Sequence, residues 1–282
     1  MVLFRRKSDL LLKLNNLKKN NFKIGLVPTM GALHHGHTSL VKKSIKENDH
    51  TIVSIFINPT QFNDKKDLKL YPKNLTKDCT HLDSISSDII IFAPEINDIY
   101  DNNLSVKKFD FNGLDKFMEG KYRKGHFNGV ATIVTHLFNI VNPNNAYFGE
   151  KDFQQLRIIQ QLVIDNNISV NVLGCQTIRE KDGLALSSRN IKLSSHCRKF
   201  ASKVYEIINY ARINFHSMTF DEIYSYVDKF FYNISEIELE YFTIAESKFL
   251  QPVKEKRRNK QYRAFIAVKL DGIRLIDNMA LN

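Results

Sequence analysis

The sequence predicts an α/β fold: a Rossmann-like, doubly wound parallel sheet with a smaller C-terminal α+β domain. Strand-like and helix-like segments alternate through about residue 177, which is typical of helices packed around a parallel sheet. Two runs, Ile52–Ile57 and Ile89–Phe92, are almost continuously apolar and suit parallel strands covered on both faces. Beyond this region helical segments come first and strands follow. For a chain of 282 residues we therefore predict two domains, 1–177 and 178–282.

Five segments of the first domain have the apolar character and length of strands. They are Phe22–Val27, Thr51–Ile57, Asp88–Phe92, Ala146–Phe148 and Ile168–Cys175. Apolar residues at helical spacing from Val130 to Val141 predict a helix with one buried face, and His136 falls off that face, at the surface. Asp152 can cap a further helix that runs to about Asn166. Ligands of such a sheet are expected at the carboxyl ends of its strands.

The second domain is predicted to contain two helices followed by three antiparallel strands. The helices are expected at about His196–Phe215 and Thr219–Phe231, and the strands at Ile237–Ala245, Tyr262–Leu270 and Gly272–Ile276.

The net charge of +11 raises the alternative of an RNA-binding module. Basic residues are, however, spread along the whole chain, and the densest run, 254–260, lies between two predicted strands, where a solvated hairpin loop explains it. We therefore expect no nucleic-acid partner, and some attraction for anionic substrates. RNA affinity that falls steeply with rising salt would favour the alternative.

The composition also limits which other classes of protein the chain can belong to. No apolar run reaches the roughly 18 residues of a membrane-spanning helix, and the N-terminal segment has no continuous apolar region of the kind found in secretory signals, so we expect no membrane partner. Three widely spaced cysteines, Cys79, Cys175 and Cys197, form no zinc-ligand pattern and, being odd in number, no disulfide framework. A cytoplasmic location is the simplest expectation.

The most informative stretch is the turn and helix start at residues 28–41, which directly follow the first predicted strand. A helix N-terminus exposes backbone N–H groups and the positive end of the helix dipole, and can hold a phosphate. His34 and His37 can add N–H donors, and Gly36 lets the backbone approach an anion closely. The alternative is a plain strand–turn–helix with two surface histidines.

Further polar residues follow the other strands. Asn58 and Gln61 are amides suited to hydroxyls and carboxylates, although an Asn-Pro turn explains Asn58 equally well. Arg123 and His126 precede a helix, at another potential anion site. Lys151 lies between a strand and a helix, where its point charge suits phosphate.

The last polar cluster is Ser187-Ser188-Arg189, which offers two hydroxyls and a guanidinium to a triphosphate. Taken alone, this tripeptide is more often a surface turn.

Together these motifs resemble one family, the pantothenate synthetases or pantoate–β-alanine ligases, within the nucleotidyltransferase superfamily. The resemblance runs in family order over nearly the whole chain, and its most specific parts are 148–152 and 179–190. The matching stretches are Pro28–His37, Ser54–Phe62, Tyr71-Pro72, His126–Thr132, Phe148–Gln155, Arg179–Asn190 and Leu275–Asn278.

The resemblance implies condensation of ATP, (R)-pantoate and β-alanine to pantothenate, AMP and pyrophosphate through a pantoyl adenylate. ATP is then a substrate, and Mg²⁺ accompanies it, held chiefly by phosphates and water, with no metal site in the protein itself. The substrates supply both nucleophile and electrophile, so the protein mainly orients them and neutralises charge. The resemblance also implies a homodimer in which residues 178–282 act as a lid over an ATP- and pantoate-binding first domain.

Carried over residue by residue, the resemblance implies these roles. The residues implied in catalysis are His37, Lys151, Ser187, Ser188 and Arg189. Those implied in ATP binding are Met30, His34, His37, Gly149, Lys151, Asp152, Ile178, Leu186, Ser187, Ser188 and Arg189. Pantoate is assigned to Pro28, Thr29, Met30, Asn58, Gln61 and Gln155. Additional candidates are Tyr71, Asp78, Arg123 and His126, with Asp78 as an outer partner of the site.

Two positions depart from the family pattern: Lys73 stands where Arg is common, and Leu186 where Met is usual. Neither removes a phosphate ligand. A different adenylate-forming enzyme would share the ATP motifs but not the acceptor pocket, and Asn58, Gln61 and Gln155 in family positions argue against that alternative.

Overall fold

A computed structural model of the protein describes residues 1–101 and 103–282. The helices are α1 Lys7–Lys19, α2 His35–Glu47, α3 Lys65–Lys69, α4 Leu75–Asp83, α5 Ile96–Tyr100, α6 Met118–Tyr122, α7 His126–Val141, α8 Phe153–Asp165, α9 Ser195–Ala201, α10 Lys203–Ile213 and α11 Phe220–Tyr232. The strands are β1 Val2–Phe4, β2 Ile24–Thr29, β3 His50–Ile55, β4 Ile90–Phe92, β5 Asn145–Gly149, β6 Asn171–Cys175, β7 Ile237–Glu246, β8 Tyr262–Leu270 and β9 Ile273–Ala280.

The chain divides into two compact units. Unit 1 consists of Met1–Phe111, Arg123–Glu150 and Gln155–Gln176, and unit 2 of Asn112–Tyr122, Lys151–Gln154 and Thr177–Asn282.

Unit 1 contains a six-stranded sheet in the order β1-β4-β3-β2-β5-β6, with every pair parallel. Its strands are apolar because both faces are covered. On one face Val27, Val53 and Ile91 pack with Leu40 of α2, whereas Leu26, which points to the opposite face, is also fully buried. Strand order reverses between β2 and β5, so the carboxyl ends of these two strands form a topological switch point, where open α/β sheets bind ligands.

Unit 2 contains the antiparallel sheet β7-β8-β9. Helices α10 and α11 pack on this sheet through a core that includes Ile207, Ile223 and Ile266, all fully buried. Thr219 caps α11 in a reciprocal capping box with Glu222, which fixes where that helix begins.

The predicted fold class is confirmed, and the differences lie at element ends and edges. The edge strand β1 was not expected, because three residues carry too little pattern. The single helix expected at 196–215 is two helices that meet at Ser202. His136, expected at the surface, is half-buried against the Tyr100 ring, and burial lowers the pKa of its imidazole.

The domain boundary at residue 177 stays a prediction. Two short segments that precede it, 112–122 and 151–154, pack within unit 2. Gln154 explains part of this arrangement, because its side-chain amide donates to the carbonyls of Leu114 and Phe117 and accepts from the N–H of Glu119.

Candidate active site

The two histidines of the first turn lie at the start of α2, just beyond the carboxyl end of β2. His34 is the N-cap residue: its Nδ1 accepts from the N–H of Gly36 at 3.1 Å. Nδ1 of His37 accepts from the N–H of His34 at 3.3 Å, and the two ring centroids are 4.1 Å apart. A neutral imidazole has one acceptor and one donor nitrogen, so each ring carries its proton on Nε2. The backbone thus presets both side chains as N–H donors, which is what phosphate oxygens require.

The turn before these histidines has an uncommon backbone. Gly31 has φ = 79° and Ala32 has φ = 50°, so two successive residues are left-handed. Asp78 of α4 stabilises this conformation: its buried carboxylate accepts from the N–H groups of Ala32 at 3.0 Å and Leu33 at 2.8 Å. A carboxylate bound by successive backbone N–H groups is a strong, charge-assisted contact. Asp78 therefore holds the backbone that leads into the histidines.

Residues Pro28 and Thr29 end β2, below the turn. The hydroxyl of Thr29 donates to the carbonyl of Ser54 in β3 at 2.7 Å and accepts from the N–H of Gly31 at 3.2 Å. The side chain of Thr29 is thus occupied in joining the two strand ends, whereas Pro28 is half-buried in the strand.

The amides Asn58 and Gln61 lie on the turn after β3, and both are buried. Asn58 Nδ2 donates to the carbonyl of Gly129 at 3.1 Å and to Gln61 Oε1 at 3.3 Å, while its Oδ1 accepts from the Tyr100 hydroxyl at 2.7 Å. Gln61 Nε2 lies 2.7 Å from the sulfur of Met30. The structure therefore brings Met30, Asn58 and Gln61 together in unit 1.

Arg123 and His126 hold the main chain at Gln61. An arginine can only donate, so Arg123 Nη1 donates to His126 Nε2 at 3.0 Å, and the ring carries its proton on Nδ1. That Nδ1–H donates to the carbonyl of Gln61 at 2.7 Å. These two residues contact the backbone of Gln61, so they hold in place a residue that is predicted to bind pantoate.

A cavity of about 610 Å³ opens in unit 1 beside the carboxyl ends of β2, β3 and β4. Met30, Gly31 and Asp78 line it, together with Arg5 and Lys73. Lys73, the departure from the family pattern, is thus a cavity residue. Asn58 and Gln61 do not belong to this lining.

Three other predicted residues of unit 1 lie outside this lining. Gly149 ends β5, and a Cβ placed there would meet no atom within 4 Å. Gln155 is half-buried in the first turn of α8. Tyr71 is buried, with its ring 5.7 Å from the ring of Phe62.

Unit 2 contains the predicted cations of the site. Lys151 is mostly buried, with 17% of its side chain exposed, and its Nζ lies 3.6 Å from Oδ1 of Asp152. The backbone carbonyl of Lys151 accepts from Nδ2 of Asn278 at 2.7 Å. A buried strand residue of the C-terminal sheet therefore fixes the main chain at Lys151.

Residues 178–186 form a small hairpin that leads into the serines. Ile178 pairs with Leu186 through the N–H of Leu186, and Arg179 bridges to Ala185. Beyond the hairpin, the N–H of Arg189 donates to the Ser187 hydroxyl at 3.2 Å.

Ser187, Ser188 and Arg189 are all half-buried in this segment.

Arg198 of α9 fixes the hairpin from outside. It donates to Asp182 at 2.6 Å and to Glu180 at 2.7 Å. The Arg198 guanidinium lowers the pKa of the Asp182 carboxyl, and Asp182 in turn raises the pKa of Arg198.

Sequence reasoning missed the residues that hold these segments. Asp277 and Asn278 belong to a stretch that carries the family resemblance, but nothing in their local pattern indicates a contact with Lys151 or Arg179. The available signal was their type: two adjacent polar residues inside an apolar strand are expected to be buried only when hydrogen-bonded.

The described part of the chain contains neither a cluster of metal-ligating side chains nor a helix suited to a membrane. Among residues 1–101 and 103–282, no group of three or more His, Cys, Asp or Glu side chains is placed to hold a metal ion. Over the same residues, no helix combines the length and apolar character that crossing a membrane requires.

Comparison with known proteins places these motifs in one family. The model of the pantoate-beta-alanine ligase family matches residues 3–280. A pantothenate synthetase of Christiangramia forsetii is 49% identical over 282 residues, and one of Flavobacterium psychrophilum is 48% identical over 281 residues; each match covers 100% of both chains.

Solved structures agree with these sequence matches. A pantothenate synthetase from Thermus thermophilus superposes with a TM-score of 0.92 at 34% identity, covering 100% of this chain and 99% of its own. A pantoate-beta-alanine ligase from Francisella tularensis, complexed with beta-gamma ATP and beta-alanine, gives 0.81 at 38% identity, covering 100% and 98%. By these matches over its full length, the chain belongs to the pantoate-beta-alanine ligase family and is a ligase that joins pantoate to β-alanine to form pantothenate.

Proposed function

We propose that the chain forms pantothenate in two steps and uses ATP as a substrate. The pantoate carboxylate attacks the α-phosphorus of ATP and displaces pyrophosphate, which leaves pantoyl adenylate. The amine of β-alanine then attacks the acyl carbon, and AMP departs as the amide forms. The Francisella tularensis relative complexed with beta-gamma ATP and beta-alanine supports ATP and β-alanine as substrates.

The observation that carries the adenylation step is the histidine pair at the end of β2. Both Nδ1 atoms accept from backbone N–H groups, so both Nε2 atoms are donors before any ligand arrives. Donors held in place at a site of developing negative charge need no reorganisation during the reaction. We assign His34 and His37 to the ATP phosphates, with His37 nearest the reacting centre.

Four residues of unit 2 are assigned to the triphosphate: Lys151, Ser187, Ser188 and Arg189. Lys151 supplies a point charge, and Arg189 offers a planar fork of donors that matches phosphate oxygens. Their role is to neutralise charge that develops as pyrophosphate leaves. Gly149 and Asp152 are assigned to the ribose, and Ile178 and Leu186 to the remaining ATP contacts.

The pantoate assignment rests on the amide cluster of unit 1. Gln61 and Asn58 are buried, and Gln155 lies at the start of α8. Amides offer donors and acceptors together, which suits a substrate with a carboxylate and hydroxyls. Pro28, Thr29 and Met30 complete the proposed contacts, with Thr29 acting through its main chain because its hydroxyl already joins β2 to β3.

Mg²⁺ is proposed to accompany ATP. By the family resemblance, the phosphates and water would supply most of its ligands. The homodimer and the cytoplasmic location stay predictions. The first rests on the family resemblance and the second on the three cysteines, which are free.

Isotope transfer tests the two-step mechanism. Pantoate labelled with ¹⁸O in its carboxylate is incubated with ATP, β-alanine and the enzyme, and AMP is analysed by mass spectrometry. The adenylate route predicts one labelled oxygen in AMP, because the attacking carboxylate oxygen stays on phosphorus. Formation of ADP and phosphate, or of unlabelled AMP, would contradict it. ATP labelled at the α-phosphate serves as the control for exchange with water.

A further inference from the structure

The two polar residues at the middle of β9, Asp277 and Asn278, are 3% and 4% exposed. Successive residues of a strand point to opposite faces, so the pair reaches two different parts of unit 2. β9 is paired with β8 along its length, with Asp277 opposite Ile266 and Asn278 opposite Phe265. The two side chains therefore project from a rigid, buried backbone.

Asn278 contacts the main chain at Lys151 through an amide of defined orientation. Arg263 Nη1 donates to Asn278 Oδ1 at 2.5 Å, and since arginine can only donate, the oxygen of the amide must face it. The nitrogen then faces Lys151, where it donates to the carbonyl at 2.7 Å. The Arg263 guanidinium also stacks 3.8 Å from the ring centre of Phe153, two residues beyond Lys151. The segment 151–153 is thus held twice.

Asp277 contacts the hairpin that leads into Ser187. Its carboxylate takes two hydrogen bonds from Arg179, at 2.5 and 3.0 Å, in the bidentate geometry that gives arginine–carboxylate pairs their specificity. Nη1 of Arg179 also donates to the carbonyl of Gly183, across the hairpin. Asp277 Oδ1 accepts in addition from the N–H of Asn278, which orients the carboxylate relative to its neighbour.

Tyr205 of α10 closes this arrangement. The Arg179 guanidinium lies 4.9 Å from its ring centre. A Cβ on Gly183 would come within 2.0 Å of the same ring, and φ at Gly183 is 89°, so only glycine fits this turn. The hairpin is therefore fixed at both its start and its tip.

We propose that Asp277 and Asn278 are positioning residues for the ligation reaction, which hold the Lys151 segment and the hairpin before Ser187 in one fixed arrangement within unit 2. The inference rests on the proposed roles of Lys151 and Arg189 toward ATP. Neither Asp277 nor Asn278 needs to touch a substrate. Asn278 acts through the main chain at Lys151, and Asp277 acts through the Arg179 side chain of the hairpin that precedes Ser187. A displacement of a phosphate-binding group by about 1 Å can cost on the order of 10²-fold in rate.

A double-mutant cycle between Asn278 and Lys151 tests the first contact. The readout is the single-turnover rate of adenylate formation at saturating ATP and pantoate. We expect Asn278→Ala to lower this rate by about 10- to 100-fold. Asn278→Asp keeps the size of the side chain and the acceptor for Arg263 but loses the donor to the Lys151 carbonyl. We expect it to lower the rate by the same factor. In a Lys151→Ala background, Asn278→Ala should cost less than about threefold more, because residues that act through one another are not additive.

Asn282→Ala is the matched control. Asn282 also bridges backbone groups beside the C-terminal sheet: its Oδ1 accepts from the N–H of Tyr262, and its Nδ2 donates to the carbonyl of Lys260. Because Asn282 is exposed, we expect Asn282→Ala to lower the melting temperature less than Asn278→Ala does, with the adenylation rate within about twofold of the parent protein. Equal rate losses in both variants would show a merely structural role and overturn the proposal.

A second double-mutant cycle, between Asp277→Asn and Arg189→Ala, tests the second contact. Its readout is the factor by which kcat falls compared with the factor by which KM for ATP rises. We expect Asp277→Asn to lower kcat at least fivefold more than it raises KM, and to add less than about threefold in the Arg189→Ala background. Full additivity in both cycles would overturn the positioning role. If Lys151→Ala or Arg189→Ala alone left the rate unchanged, that residue would not have its proposed role toward ATP. The residue of β9 that is proposed to position it would then have no group to act through.

Discussion

The histidine turn of unit 1 and the hairpin 178–186 of unit 2 are held by different kinds of contact. In unit 1 the histidine turn is held by backbone N–H groups, which donate to the rings of His34 and His37 and to the carboxylate of Asp78. In unit 2 the hairpin is held by ion pairs, Arg179 with Asp277 and Arg198 with Asp182. Contacts to the backbone fix dihedral angles and ring tautomers. Ion pairs join two side chains and fix the place of one segment against another.

The difference predicts distinct sensitivities. A backbone contact at the turn is lost by changing the acceptor side chain, by protonating the acceptor atom or by changing the local φ angle. An ion pair is lost by changing either partner or by neutralising the carboxylate with acid, and its exposed part is weakened by salt. Substitutions at the ion pairs of unit 2 should therefore respond to salt as well as to pH, beyond any difference in their size.

The largest expected effect concerns a cation of unit 2. Lys151→Ala should lower the adenylation rate by on the order of 10²–10³, as does the loss of one preorganised donor to a developing charge. Its main chain is held by Asn278, so the fold should persist and the melting temperature should change little. Single-turnover formation of adenylate measures the rate. Lys229→Ala, at an exposed position of α11, is the control and should leave the rate unchanged.

The corresponding test of unit 1 is Asp78→Asn. An amide accepts from one of the two N–H groups of the turn but presents its own N–H group to the other, which leaves a donor without its acceptor. We expect the free energy of unfolding to fall by about 1–3 kcal/mol. The adenylation rate should also fall, by about tenfold, because the backbone before His34 loses its anchor. Denaturant unfolding and single-turnover assays measure the two effects.

Asp83→Asn, at an exposed position near the end of the same helix, controls for a general loss of acidic charge on α4. If Asp78→Asn unfolds like this control, the carboxylate does not hold the turn, and the contrast between the two units would lose its unit 1 side.

The sequence predicts the framework of unit 1 well because its signals are local. The apolar runs predict β2, β3 and β4 to within two residues of their observed ends. The composition alone identifies the turn that follows β2. Local signals fail where a contact joins distant residues: Arg179 and Asp277 are 98 positions apart, and Asn278 and Lys151 are 127 apart. Nothing in the pattern of either member specifies its partner.

A similar limit applies to His34 and His37. Their spacing and the helix that follows indicate a phosphate site, but the tautomer of each ring depends on which atom accepts from which backbone N–H. At Ser202 the sequence pattern is misleading in a different way. The apolar spacing continues through this residue and predicts one helix, and only the backbone shows that α9 ends and α10 begins there.

A smaller effect tests the backbone of the histidine turn directly, by comparing Gly31→Ala with Ala32→Gly. A Cβ on Gly31 would lie 2.8 Å from Oδ2 of Asp78, at φ = 79°, so Gly31→Ala should destabilise by about 1–2 kcal/mol. Ala32 already has φ = 50°, so Ala32→Gly relieves strain but makes the unfolded chain more flexible, and its net effect should stay within about 0.5 kcal/mol. Urea unfolding measures both variants. If both are destabilised equally, Gly31 is not required for the left-handed conformation of the turn.

The smallest effect tests the ion pair in the hairpin of unit 2 by its pH dependence, through Asp182→Asn. The hydrogen bond from Arg198 lowers the pKa of Asp182 below its ordinary value of 3.8. Its contribution to stability is therefore complete only well above 3.8, and it is lost as the pH falls through the pKa of the folded state. Because 39% of the Asp182 side chain is exposed, solvent screening limits this contribution to about 0.2–1 kcal/mol. The unfolding free energies of the parent protein and Asp182→Asn, measured from pH 7 to pH 2.5, should differ by a constant amount above pH 4.5 and converge below it. A difference that stays constant into acid would show that Asp182 contributes through its shape rather than its charge, and that the ion pair with Arg198 does not hold the hairpin of unit 2.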